Sequence, residues 1–160
     1  MDMDASERAH RVAVTETPPA GASPDYADAF AVGRRASDGR SAERWARDGF
    51  GRLPRFTREG GLLAHRGPLG FSLGPWDSPD HVFGWRIAGS EPELLHLEAR
   101  GRWLSGHMLW RRGEARLTMT TFVRYEMPRT GRAVWTTLGG IHRGSTPHLL
   151  RLAASAPGAA

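Results

Sequence analysis

From residue 81 onward, polar and apolar residues alternate with the period of two that marks half-buried strands. In HVFGWRIAG, Phe83, Trp85 and Ile87 share one side. In ELLHLEARG, Leu95, Leu97 and Ala99 oppose His96, Glu98 and Arg100. In RLTMTTFVRYEM, Leu117, Met119, Thr121, Val123 and Tyr125 oppose Arg116, Thr118, Thr120, Phe122, Arg124 and Glu126. GRWLSGHMLWRR and GRAVWTTLGG also read as strands, with RRGE and PRTG as the hairpin turns between them. One wet face and one core-facing side predict an antiparallel sheet.

The first half reads differently. DYADAFAV gathers Tyr26, Phe30 and Val32 into a candidate edge strand. Ser41 stands as an N-cap, Glu43 falls in the first turn, and Ala42, Trp45 and Ala46 share a face, so a short helix is expected before Gly49 and Pro54. A second helical stretch from Arg55 to His65 is weakened by Gly60-Gly61. Residues 67–79 read as a strand fragment among loops. At the far end, Thr146 and Pro147 predict the start of a closing helix whose apolar side is Leu149, Leu150 and Leu152.

These elements give an α+β chain. One domain is expected over residues 25–156, with a disordered leader over 1–24 and a disordered tail over 157–160. The leader, ending in TPPAGASP, lacks residues able to anchor a packed face.

Composition narrows the chemistry. The 160 residues contain no cysteine, so thiolate nucleophiles and disulfides are excluded. All 22 basic residues are arginine, so no lysine is present to form a Schiff base. The net charge of +5 is spread among acids, which argues for a solvated basic surface and against a phosphate-tracking groove. No segment reads as a membrane span or a signal peptide, and a cytoplasmic location is expected. H-E-x-x-H, G-x-S-x-G, Walker and G-x-G-x-x-G motifs are absent from the sequence. Asp77, Asp80 and His81 cluster in PWDSPDH, but loop aspartates beside proline form turns, and neither a metal nor a cofactor is expected.

The segments DYADAF, SGHML with RLTMTTFVRY, TGRAVW, and IHR followed by PHLLRLAA resemble the domain of unknown function 2867 family. The resemblance runs from about residue 25 to 155. It implies a helix-grip fold: a curved antiparallel sheet wrapped around a C-terminal helix, with one or two short helices near the N-terminus and a cavity between sheet and helix. Where such relatives carry a proline before the His-Arg pair, this chain has Gly139-Gly140, which leaves the geometry of His142 open. Fold analogy with polyketide cyclases and lipid carriers sets a class of ligand and no reaction.

Within an implied cavity, Trp85, Trp110 and Trp135 with Met119 are the expected ligand-binding wall, or else core. Tyr125 is a candidate proton donor, or a core tyrosine. His142 is a candidate base or oxyanion partner before the closing helix, or a tie between strand and helix. His107 is the third catalytic candidate, and its face is undecided because a tryptophan falls on each side of its segment. The leading expectation is a cofactor-free cyclase, isomerase or dehydratase acting by acid-base catalysis on a bulky, polyketide-like molecule. A non-catalytic carrier or sensor of the same ligand class is the alternative, and nucleic-acid binding through the basic sheet is a third.

Overall fold

The computed structural model describes residues 8–19 and 23–157. The expected tail therefore lies outside the described residues from 158 onward, as do residues 1–7 and 20–22 of the expected leader. The fold is α+β, an open antiparallel sheet with three helices. The strands are β1 (His10–Val12), β2 (Tyr26–Gly33), β3 (Phe71–Ser72), β4 (Asp77–Ser78), β5 (His81–Val82), β6 (Trp85–Glu91), β7 (Leu94–Gly101), β8 (Leu104–Arg112) and β9 (Arg116–Tyr125). The helices are α1 (Ala42–Gly51), α2 (Arg55–Arg66) and α3 (Pro128–Ser155). The sheet order is β1-β2-β9-β8-β7-β6-β5-β4, and β3 pairs with the end of β7. No helix among the described residues is long and apolar enough to cross a membrane.

The alternation of β6 to β9 places their apolar sides in one core. Register aligns Val32 with Leu117 and Phe30 with Met119, then Met119 with Trp110 and Trp110 with Leu95. Trp45, Ala46 and Phe50 of α1 and Leu149, Leu150 and Ala153 of α3 complete this core. Ser41 caps α1 as expected, its hydroxyl accepting from the Arg44 amide at 3.2 Å.

Two expectations at the chain ends need correction. The sequence between PRTG and Thr146 is not a hairpin and a strand. It is the first two thirds of one 28-residue helix, with Pro128 in its first turn and Pro147 inside it. The buried stripe runs Gly131, Trp135, Gly139, Thr146, Leu149, Leu150 and Ala153. Its period is helical, but two of its first three members are glycines, so a scan for large apolar residues misses it. Gly131 is required by contact: a Cβ there would lie 2.7 Å from the Trp103 carbonyl and 2.8 Å from the Tyr125 Cβ. Pro147 leaves the Arg143 carbonyl without its helical donor. The Ser145 and Thr146 hydroxyls both donate to the His142 carbonyl in this turn.

The second correction concerns the leader, which is not disordered throughout. His10–Val12 pairs with β2, so β1 and not β2 forms the sheet edge. Glu16 forms an ion pair with Arg111 of β8. Pro18, Pro19 and Pro24 then share a cavity wall with His96, His107 and Phe122 on the side of the sheet away from the helices. Backbone pairing with β2 and the Glu16–Arg111 ion pair help to hold this segment.

Glycines on helices give a direct check of these contacts. Gly60→Ala is expected to stabilise the fold by about 0.5–1 kcal/mol, because a Cβ there meets nothing within 4 Å. Gly131→Ala is expected to destabilise it by about 1–3 kcal/mol through overpacking. Urea unfolding of the two variants measures both.

Candidate functional site

The parity of β2 builds the site. Tyr26, Asp28, Phe30 and Val32 share the helix-facing side, so a carboxylate stands within an otherwise aromatic and aliphatic row. In register across from Asp28 is Thr121, whose hydroxyl is buried and has no hydrogen-bond partner. Above them α3 brings Trp135 and His142, seven residues apart and so on one face of the helix.

Asp28 has no side-chain exposure and holds two partners. The Tyr26 hydroxyl donates to Oδ2 at 2.5 Å, and His142 Nε2 lies 3.2 Å from both carboxylate oxygens. Burial raises the Asp28 carboxyl, but the His142 and Tyr26 contacts outweigh it and hold the group below its ordinary range. Burial and the Asp28 charge push the Tyr26 phenol up, while Arg143 beside its ring works the other way. Trp135 packs against both partners, 5.0 Å from the Tyr26 ring and 5.5 Å from the His142 ring. His142 keeps 19% of its side chain exposed, so the trio reaches solvent at one corner.

A second histidine stands on α2, over the β3 and β6 end of the sheet. His65 Nδ1 lies 2.7 Å from the Gly61 carbonyl. A carbonyl only accepts, so Nδ1 carries the proton, and Nε2 has no hydrogen-bond partner among the described residues. The ring sits among Phe71, Phe83 and Trp85. Burial first, and the charge of His142 as well, hold His65 below the ordinary imidazole range, against the pull of the Gly61 carbonyl. Phe83 adopts a left-handed φ of 52°, a conformation a bulky residue enters at a penalty of about 1–3 kcal/mol. Its ring stacks on Phe50 at 4.6 Å and meets the edge of His65 at 5.5 Å, contacts that offset the strain.

The expected site residues divide between places. Trp85, Trp110 and Met119 lie buried on the helix-facing side of the sheet, and Trp135 approaches the same interior from α3, not from a strand. The indole N–H groups of all three tryptophans are buried without partners. His142 lies within α3, not at a junction before it. Tyr125 ends β9 against the first turn of α3, and no contact joins it to His142. His107 is on the opposite side of the sheet, because Gly106, Met108 and Trp110 take the inner positions. The expected catalytic trio is therefore not assembled.

Asp28 and Tyr26 stand beside His142 instead. The signal for Asp28 was present in DYADAF, where it shares parity with Tyr26, Phe30 and Val32. The Asp77 to His81 segment is a two-strand turn in which Ser78 Oγ meets His81 Nδ1 at 3.0 Å and Asp77 pairs with Arg47.

Neither a family model nor a curated protein nor a solved structure matches the chain.

Proposed function

We propose that the chain is a small helix-grip protein, akin to the domain of unknown function 2867 family, that moves protons on a bulky, largely apolar molecule with its own side chains. Cyclisation, dehydration or isomerisation of a polyketide-like compound fits such a site. The observation that carries this reading is the buried carboxylate of Asp28 shared by Tyr26 and His142.

Each group has a role that follows from its surroundings. Anionic Asp28 holds the His142 Nε2–H, fixes the tautomer, and stabilises the imidazolium that forms when Nδ1 takes up a proton. Tyr26 is a positioning residue: its single O–H proton goes to Asp28 Oδ2 and holds the carboxylate in place. His65 Nε2 is a neutral acceptor among aromatic rings, where an imidazole resists carrying charge. Trp85, Trp110, Trp135 and Met119 are packed in the core, at most 6% exposed, so a guest reaches them only through local opening of α2.

A carrier reading is favoured by a separate observation. The unpaired indole N–H groups of Trp85, Trp110 and Trp135 and the unpaired Thr121 hydroxyl need only acceptors on a guest, with no proton transfer.

The experiment starts from the full chain purified under non-denaturing conditions, with mass spectrometry of what it retains and of a panel of aromatic polyketide acids added to it. Conversion by the wild type that falls about 100-fold or more in both His142→Ala and Tyr26→Phe supports the enzyme. Binding without conversion supports the carrier. Conversion unchanged in both variants overturns the assigned roles.

A further inference from the structure

On the side of the sheet away from the helices, alternation brings together His96 and Glu98 of β7 and His107 of β8. Register places His107 directly opposite Glu98, with His96 two residues along the same side. One ligand atom from each of the three lies within 4.8 Å of the others. All three line a cavity of about 520 Å³ between the sheet and the chain around Pro18 and Pro19.

We propose that His96, Glu98 and His107 form a binding site for a first-row divalent transition metal, held in a facial two-histidine, one-carboxylate arrangement. His96 Nε2 and His107 Nδ1 face each other at 2.9 Å. Two imidazole nitrogens bound about 2.1 Å from one ion at a right angle are about 3.0 Å apart. The pair is thus spaced as neighbouring ligands of a six-coordinate ion, with an N–H proton occupying the place the metal would take. Glu98 supplies the third donor: Arg86 donates twice to Oε1, and Oε2 accepts no hydrogen bond from the described residues. Arg86 then acts from behind, fixing the carboxylate as outer partners of metal ligands do.

The donor set decides the class of ion. Two imidazoles and one carboxylate suit iron, cobalt, nickel, copper or zinc and not the oxygen-seeking magnesium or calcium. Three protein donors leave further coordination positions directed into the cavity, where Arg100 and Arg124 stand in the wall. The site is separate from the Asp28 trio, which occupies the other side of the sheet.

Cobalt(II) is the probe. Full-length chain without a polyhistidine tag, stripped with chelator, is titrated with cobalt(II) and followed by calorimetry and visible absorption. One equivalent is expected to bind with the weak bands of six-coordinate cobalt. His96→Ala and His107→Ala are each expected to weaken binding about 10-fold or more, and the His10→Ala control to leave it unchanged. On the unaltered protein, paramagnetic broadening of the His96 and His107 ring resonances tests the site without any substitution. Absence of binding at millimolar cobalt, binding indifferent to both substitutions, or broadening confined to other histidines overturns the proposal.

Discussion

Asp28→Ala is expected to lower the unfolding free energy by about 3–5 kcal/mol, measured by urea unfolding at pH 7. The side chain has no exposure, and its removal strands two partners inside the fold. The Tyr26 hydroxyl loses its acceptor, and His142 loses the anion against which α3 is held. The loss has a pH signature. The folded carboxyl titrates below the unfolded one, so as pH falls the unfolded chain binds its proton first. The stabilisation is complete above roughly pH 5 and is lost as pH drops through the lowered folded value. Wild type and variant should therefore converge in stability in strong acid. Replacing the whole trio by apolar residues, Asp28→Leu with His142→Leu and Tyr26→Phe, should recover much of the stability, because well-packed apolar residues replace a buried polar network at little net cost. A stable triple variant that no longer converts a bound molecule would separate the chemistry of the trio from its support of the fold.

Arg40→Ala is expected to be comparably damaging, about 3–5 kcal/mol, with Arg40→Lys failing to restore it. The side chain is 1% exposed and joins the loop before α1 to α1 and α3. Nη2 lies 2.7 Å from Asp38, Nη1 lies 2.8 Å from Asp48 on α1, and Nη1 also donates to the Ala153 carbonyl of α3 at 3.2 Å. Its plane covers Trp45 at 4.1 Å. Burial weakens the charge, but Asp38 and Asp48 outweigh that and hold the proton on more firmly than usual. A lysine supplies one point charge where the site uses a planar fork. Thermal unfolding of both variants is the measurement, and wild-type stability in Arg40→Lys would refute the fork geometry.

These two residues mark the boundary of what the sequence conveys. The strands β6 to β9 and the cap of α1 were readable, because their apolar residues recur at regular intervals and the Ser41 cap is a local event. The first two thirds of α3 were hidden by Gly131 and Gly139, which serve contact with Trp103, Tyr125 and Trp135 and leave no apolar mark in the chain. Placing Trp135 on a strand and His142 at a junction followed from that single error. The face of His107 became decidable only when β8 was seen to begin at Leu104, which leaves Trp103 outside the strand and puts Trp110 inward. Arg40 reads as one more surface arginine, since its partners lie 2, 8 and 113 residues away. Asp28 was legible by parity, but only a long-range contact with α3 shows what its charge is for.

The thin attachment of α2 has a consequence for timing. That helix contains no buried residue, has adjacent glycines at its centre, and turns Phe56 and Leu63 toward water, yet its His65 closes one side of the aromatic interior. Backbone amides from 55 to 66 should exchange with deuterium far sooner than those of β8 or β9, because they open in a local fluctuation that leaves the sheet intact. Admission of a guest would then be governed by the breathing rate of one short segment, independent of how firmly the remainder of the molecule is folded.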